Sequence, residues 1–234
     1  MTARLDQPPR YEIKVPLPLT AYPLLRRWLR LHPVHWRRSY PPRTVNSLYL
    51  DDERDSALLD NLNGVGVRHK VRLRWYGDAL AQIEGGYLEH KTRRGATGAK
   101  QRCHLPDLRI DLRSIRWADL LLPLRHLACA QPAMLRAEFP VLIVRYRRAY
   151  YESADGTLRL TVDERIVAYD QRFSACPNLT RTLPWPDYLL IELKAPPAQA
   201  GRLADLLATL PCRPQRHSKY ALGRLSSPDF GAWL

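Results

Sequence analysis

The sequence is short of cysteine, of acidic residues relative to basic ones, and of long apolar runs, and each shortage removes a class of protein. Four cysteines, Cys103, Cys129, Cys176 and Cys212, stand far apart among 234 residues. Without paired spacing they support neither a zinc site nor a redox motif, and they read as small, mostly buried residues of a reducing compartment. No apolar stretch approaches the roughly twenty residues needed to cross a bilayer. The start, Met1-Thr2-Ala3-Arg4-Leu5-Asp6, lacks an apolar signal core, so a cytoplasmic location is expected. Tandem repeats and low-complexity tracts are absent.

What is present is positive charge. Lys and Arg number 37 against 23 Asp and Glu, the formal net charge is +14 and the pI is near 10.0, which points to a polyanionic partner. The charge is concentrated: residues 68–102 hold nine Lys or Arg against three acidic residues. In Arg68-His69-Lys70-Val71-Arg72-Leu73-Arg74-Trp75, an extended strand puts Lys70, Arg72 and Arg74 on one face and Val71, Leu73 and Trp75 on the other. Like charges lined up on adjacent strands are unfavourable unless an anion neutralises them. The charged face is therefore either the protein's outside or the lining of a wet, phosphate-sized cavity.

Along the chain, residues 1–9 read as a disordered arm, 10–225 as one domain and 226–234 as a tail. Arg10 to Val15 alternates as a strand. Thr20 is positioned to cap a helix through about Leu31, with Leu24, Leu25, Trp28 and Leu29 as its apolar stripe, and Pro33, Pro41 and Pro42 suggest a loop. A strand is expected over Thr44–Asp51, then a short helix from Asp52 to Leu62 ended by Asn63-Gly64. Two basic strands follow, the second through Tyr87-Leu88-Glu89-His90-Lys91, and then Ala99–Leu105. Trp117, Leu120, Leu121, Leu124 and Leu127 have helical spacing. Val141–Tyr151 reads as a strand leading to an Asp155-Gly156 hairpin, after which Arg159, Thr161 and Asp163 share a face. Residues 164–187 read as a long loop with at most short strands. Leu189–Lys194 is a strand, Gln199–Leu210 an amphipathic helix, and Arg216–Tyr220 opens a last short one.

Strand after strand carries Arg, Lys or Glu at alternate positions with Val, Leu, Ile or Trp between. Repeated around a sheet, this closes most naturally into a barrel with a polar lumen and helices over its apolar exterior. Arg10-Tyr11-Glu12-Ile13-Lys14, Asn46-Ser47-Leu48-Tyr49-Leu50-Asp51, Arg68 to Tyr76, Leu88-Glu89-His90-Lys91, Tyr146-Arg147-Arg148, Arg159-Leu160-Thr161-Val162-Asp163, Ile191-Glu192-Leu193-Lys194 and Ser218-Lys219-Tyr220 together resemble a VTC domain. That family is the polyphosphate polymerase domain of the vacuolar transporter chaperone complex, within the triphosphate tunnel metalloenzyme, or CYTH-like, superfamily.

The resemblance implies an α+β fold, an antiparallel eight-stranded β-barrel tunnel with flanking helices, binding ATP, triphosphate or polyphosphate with a divalent ion, Mn2+ or Mg2+. Lys14, Arg72, Arg74, Lys91, Lys100, Arg148, Arg159 and Lys219 match its phosphate-binding basic residues, with Arg72, Arg74, Lys91 and Arg159 expected closest to the chemistry. Ser218 matches a phosphate-contacting hydroxyl, and Lys70 joins the set through its place beside Arg72. Glu192 matches the metal-binding glutamate, with Glu12 and Glu89 as its expected companions; Glu89 is equally placed to neutralise Lys91 and Arg72. Strand alternation sets Arg145 and Arg147 on the face opposite Arg148, leaving open whether Arg147 or Arg148 faces the tunnel. Hydrolytic members of the superfamily show Glu-x-Glu-x-Lys at the first strand, whereas Arg10-x-Glu12-x-Lys14 replaces one carboxylate with a cation. His69 and His90 fall on apolar faces and read as packed or hydrogen-bonded, and Tyr11, Tyr49 and Tyr146 as barrel packing.

Three functions fit this lumen: a polymerase moving the ATP γ-phosphoryl group onto polyphosphate, a hydrolase of triphosphate or polyphosphate, or a non-catalytic module for polyphosphate or inositol phosphates. Nucleic acid is not expected as a partner, because Leu73 and Trp75 point away from Arg72 and Arg74. A membrane partner, if one exists, is expected to be separately encoded and would hold the protein at the inner membrane's periphery.

Overall fold

The computed structural model describes residues 10–94, 97–128 and 139–228; the expected arm at 1–9, Cys129 and residues 229–234 lie outside them. The elements in order are β1 (Tyr11–Pro18), α1 (Tyr22–Leu31), β2 (Arg37–Asp51), α2 (Ser56–Leu62), β3 (Val67–Tyr76), β4 (Gln82–Arg94), β5 (Thr97–Asp111), α3 (Trp117–Ala128), β6 (Phe139–Glu152), β7 (Arg159–Asp170), β8 (Tyr188–Ala195), α4 (Ala200–Thr209) and α5 (Lys219–Leu225). Among the described residues no helix is long and apolar enough to cross a membrane.

The eight strands form one antiparallel sheet in the order β1-β8-β7-β6-β2-β3-β4-β5. The expected closure is corrected here: β1 and β5 end that order, and among the described residues no ladder joins them. The sheet still curls into a tunnel. Lys91 of β4 places its Nζ 3.0 Å from both carboxylate oxygens of Glu12 on β1, so side chains bridge where the backbone does not.

Alternation decides which face is packed. Val71, Leu73 and Trp75 of β3 turn outward with Leu88 and Leu105, and α3 covers them with Trp117, Leu120, Leu121 and Leu124. On the other flank Val15, Leu17, Leu160, Ile191 and Leu193 are covered by Leu25 and Leu29 of α1 and Leu203 and Leu206 of α4. Each such leucine contributes about 1.5–3 kcal/mol through burial, which is what allows the opposite face to stay polar. Part of the inner face is apolar as well, where Val45, Leu142, Val144, Ile166, Ala168 and Leu190 pack on Tyr220 and Ala221 of α5. A Cβ on Gly223 would stand 2.6 Å from Leu142 Cδ2, so glycine lets α5 lie directly on β6.

Three expected boundaries are corrected. Pro41 and Pro42 sit inside β2, where register shifts interrupt the pairing to β6 and β3 has not yet joined, its pairing starting at Val45; proline is tolerated where a strand has a free side or a bulge. Thr20 makes no cap, since α1 starts after a short 3-10 turn with no side-chain bond at its N-terminus. The 164–187 loop begins only after Asp170. Between Arg145–Val167 and Arg147–Glu164, one residue of β6, Tyr146, faces two of β7, Arg165 and Ile166, and Arg165 adopts φ 53°. This bulge resets the alternation, so that Asp163 before it and Ile166 and Ala168 after it face the same side.

Candidate functional site: a cationic cavity inside the curled sheet

The inner faces of the strands and the segment leading into α5 enclose a cavity of about 610 Å3. Thirteen Lys or Arg side chains line it against three glutamates, Glu12, Glu89 and Glu192. That excess cannot be neutralised from within and calls for a polyanion of matching size. Lys14, Lys70, Arg72, Arg74, Lys91, Lys100, Arg148, Ser218 and Lys219 all reach this one cavity. Arg159 does not: it is exposed at the first position of β7 and lies outside the lining. β6 pairs in regular alternation with β2 from Arg145 to Arg148, which turns Tyr146 and Arg148 inward, while Arg147 faces Glu164 at 3.8 Å with half its side chain exposed.

Two charge clusters organise the wall. In the first, the Glu89 carboxylate, 1% exposed, is approached by Arg72 (Nη2, 2.7 Å), Arg74 (Nη1, 3.7 Å), Lys100 (Nζ, 2.5 Å) and Arg102 (Nε, 3.1 Å). Burial alone would raise the Glu89 carboxyl, but Arg72, Arg74 and Lys100 hold it far below the usual carboxylate range. Of the two roles expected for Glu89, these contacts match the neutralisation of Arg72. Shared among four cations, the carboxylate fixes the arginine forks. Hydroxyl groups hold the same forks from the other side. Arg72 donates to the Tyr49 hydroxyl at 3.2 Å, and Arg74 to Tyr146 at 3.3 Å and Ser47 at 3.4 Å.

The second cluster centres on Asp163, which is fully buried. Arg148 donates to it through Nε at 2.5 Å and Nη2 at 2.7 Å, and Lys219 at 2.5 Å. Arg148 also reaches Glu192 at 3.3 Å, and Lys194 lies 2.8 Å from the same carboxylate. Despite burial, Lys194, Arg148, Lys14 and Lys91 hold Glu192 well below its ordinary range. Asp163 was legible as sharing a face with Thr161, but nothing in the sequence marked it as the partner of Arg148. Arg68 and Lys194, which continue the alternation of β3 and β8, are also on the lining, as are Arg216 and His217, which precede α5 outside any strand and so carry no alternation to mark them.

A divalent ion would find Glu12 and Glu192 here. Their charges interact directly, as neighbours on paired strands, and their donors are hard oxygens suited to Mg2+ or Mn2+. No group of three His, Cys, Asp or Glu converges among the described residues. The pair therefore fits an ion held by one or two carboxylates and completed by substrate phosphates, and does not form an all-protein cage.

Lys70 stands apart. It donates to Ser218 Oγ at 2.8 Å, and no carboxylate pairs with it among the described residues. Burial, reinforced by Lys14, Lys91, Arg68 and Arg72, pushes its ammonium down to about 7. An anion bound beside it favours the charged form, so binding should take up protons near neutrality. Triphosphate affinity, corrected for the ligand's own last ionisation, is expected to fall as pH rises from 7 to 9, and calorimetry in buffers of different ionisation enthalpy should show net proton uptake by the protein. Lys70→Arg should flatten that dependence; an unchanged pH profile would count against a role for Lys70.

His69 and His90 face away from the cavity, with Nδ1 of one 3.0 Å from Nε2 of the other and their rings stacked at 5.2 Å.

A family model described as the VTC domain matches residues 10–227. No curated protein matches the chain. Among solved structures, a candidate adenylate cyclase from Bacillus halodurans superposes with a TM-score of 0.52 at 11% identity, covering 90% of this chain and 95% of that one. Another from Vibrio parahaemolyticus gives 0.48 at 9% identity over 95% and 100%. The first likeness concerns the fold alone.

Proposed function

From the chain's membership of the VTC domain family, we propose that the cavity binds ATP and polyphosphate and moves the γ-phosphoryl group of ATP onto the end of a polyphosphate chain. The observation that carries this reading is the count of thirteen cations against three glutamates around about 610 Å3. A terminal oxygen of the acceptor forms a bond to Pγ, the bond from Pγ to the β-bridging oxygen breaks, and ADP departs with that electron pair. Negative charge on the transferred group is largely equatorial, so catalysis consists of positioning and of fixed positive charge.

Each residue then has a part. Arg72 and Arg74, held by Glu89, Tyr49, Tyr146 and Ser47, present planar forks to non-bridging oxygens without having to reorganise. Lys14, Lys91 and Lys100 supply point charges, Arg148 and Lys219 a third contact anchored on Asp163, and Ser218 with Lys70 a neutral and a cationic donor. Glu192 with Glu12 would hold the divalent ion, which would supply positive charge against the mutual repulsion of crowded phosphates. No serine or cysteine nucleophile is required.

Incubation with ATP and Mn2+ should yield ADP and a phosphate polymer visible on a gel. ADP with free phosphate and no polymer would instead make the protein a hydrolase, and tight phosphate binding without turnover under any divalent ion would make it a binding module.

A further inference from the structure

Residues 214–220, which lead into α5, line the cavity without a break. The Gln215 amide donates to the Lys14 carbonyl at 3.1 Å, on an edge strand that has β8 as its one partner among the described residues. The Lys14 ammonium in turn donates to the His217 carbonyl at 3.3 Å, so the backbone and the side chain of this lysine both end on the same segment. One residue on, Ser218 accepts from Lys70 at 2.8 Å and, as the cap of α5, from the Ala221 amide at 3.3 Å. Lys14, Lys70 and Lys219 are thus placed by one short piece of irregular backbone, residues 213–218.

What fastens that backbone to the sheet is the His217 ring. Tyr188, the first residue of β8, sets its hydroxyl 2.5 Å from His217 Nε2, and the two rings meet edge-on with centroids 5.3 Å apart at 76°. Burial pushes the Tyr188 phenol up, so it stays protonated and is the donor. Burial, reinforced by Lys219 and Lys14, pushes the His217 imidazole down to about 3, so Nε2 keeps a lone pair with which to accept. Nδ1 is buried with no hydrogen-bond partner among the described residues, which leaves the Tyr188 hydroxyl as the ring's polar anchor.

We propose that Tyr188 and His217 are positioning residues of the phosphate site: their hydrogen bond ties the segment before α5 to β8 and so sets where Lys14, Lys70 and Lys219 meet the ligand. This rests on the phosphate-cavity reading above and adds to it a pair that acts through its neighbours. With the segment fixed beforehand, the three ammonium groups are aligned when the ligand arrives; with it loose, ordering it is charged against binding.

Tyr188→Phe keeps the ring and removes only the donor. It is expected to weaken inorganic triphosphate about tenfold by calorimetry, with a urea midpoint close to that of the wild type. His217→Leu should show the same loss, and the double variant no more than either single one. His217→Gln, whose side-chain oxygen can accept from Tyr188, should recover most of the affinity. Tyr188→Phe that binds as tightly as the wild type, losses that multiply in the double variant, or a loss that only follows a fall in the urea midpoint would overturn the proposal and leave the phosphate cavity in place. Wild type that binds no triphosphate would overturn the cavity reading and the proposal with it.

Discussion

Asp163→Ala is expected to destabilise the protein by about 3–5 kcal/mol, the cost of leaving buried cations without their counter-charge. The carboxylate is fully buried and receives both Arg148 and Lys219, so its loss strands one cation on β6 and another on α5 at once. Arg148 and Lys219 hold the Asp163 carboxyl below its ordinary range against the effect of burial. A group whose folded value is depressed contributes stability that is present at neutral pH and lost as pH falls through that value. The wild type should therefore lose stability on acidification below the ordinary carboxylate range, and Asp163→Ala should lose less. Urea unfolding of the two proteins at pH 7 and at about pH 2.5, below the ordinary aspartate range, measures both quantities. A neutral-pH difference under about 1 kcal/mol would mean that Arg148 and Lys219 find another anion.

Arg74→Ala should cost roughly 100-fold or more in turnover, the scale seen when one preorganised charged donor is removed from a reacting centre. The guanidinium is nearly buried, and three groups from different strands fix it: Ser47, Tyr146 and Glu89. Its deletion also leaves Glu89 with one cation fewer, which draws Arg72 and Lys100 more tightly onto the carboxylate and away from the ligand. Arg74→Lys should recover only part of the loss, because a point charge cannot present two parallel donors. Triphosphate affinity and ADP release in the three proteins are the readouts; wild-type levels of both in Arg74→Ala would remove this residue from the site.

The inner wall was legible because strand geometry has a strict period of two. Lys70, Arg72 and Arg74 against Val71, Leu73 and Trp75 required only that β3 be a strand, and the stripes of α1, α3 and α4 required only the helical period. What was not legible depends on partners distant in sequence. For Glu89 a metal role and neutralisation of Lys91 and Arg72 were both open, and only the register with β3 and β5 brings Arg72, Arg102 and Lys100 around it. Arg159 shares a face with Asp163, but strand length put it at the rim. The bulge at Arg165 left no signature beyond a loss of alternation, which read as loop. Pro41 and Pro42 carried a breaker signal that a one-sided pairing overrode.

Among the described residues no ladder joins β1 to β5, which bears on how a bound phosphate chain enters and leaves. A tube sealed by hydrogen bonds would force a polymer to be drawn lengthwise through its bore. Here the contact spanning the gap is the ammonium–carboxylate bridge from Lys91 to Glu12, which salt weakens and which an incoming phosphate competes for directly. If the cavity extends polyphosphate as proposed above, release of the chain sideways past this ionic clasp would compete with its further growth, and raising the salt concentration would shorten the product.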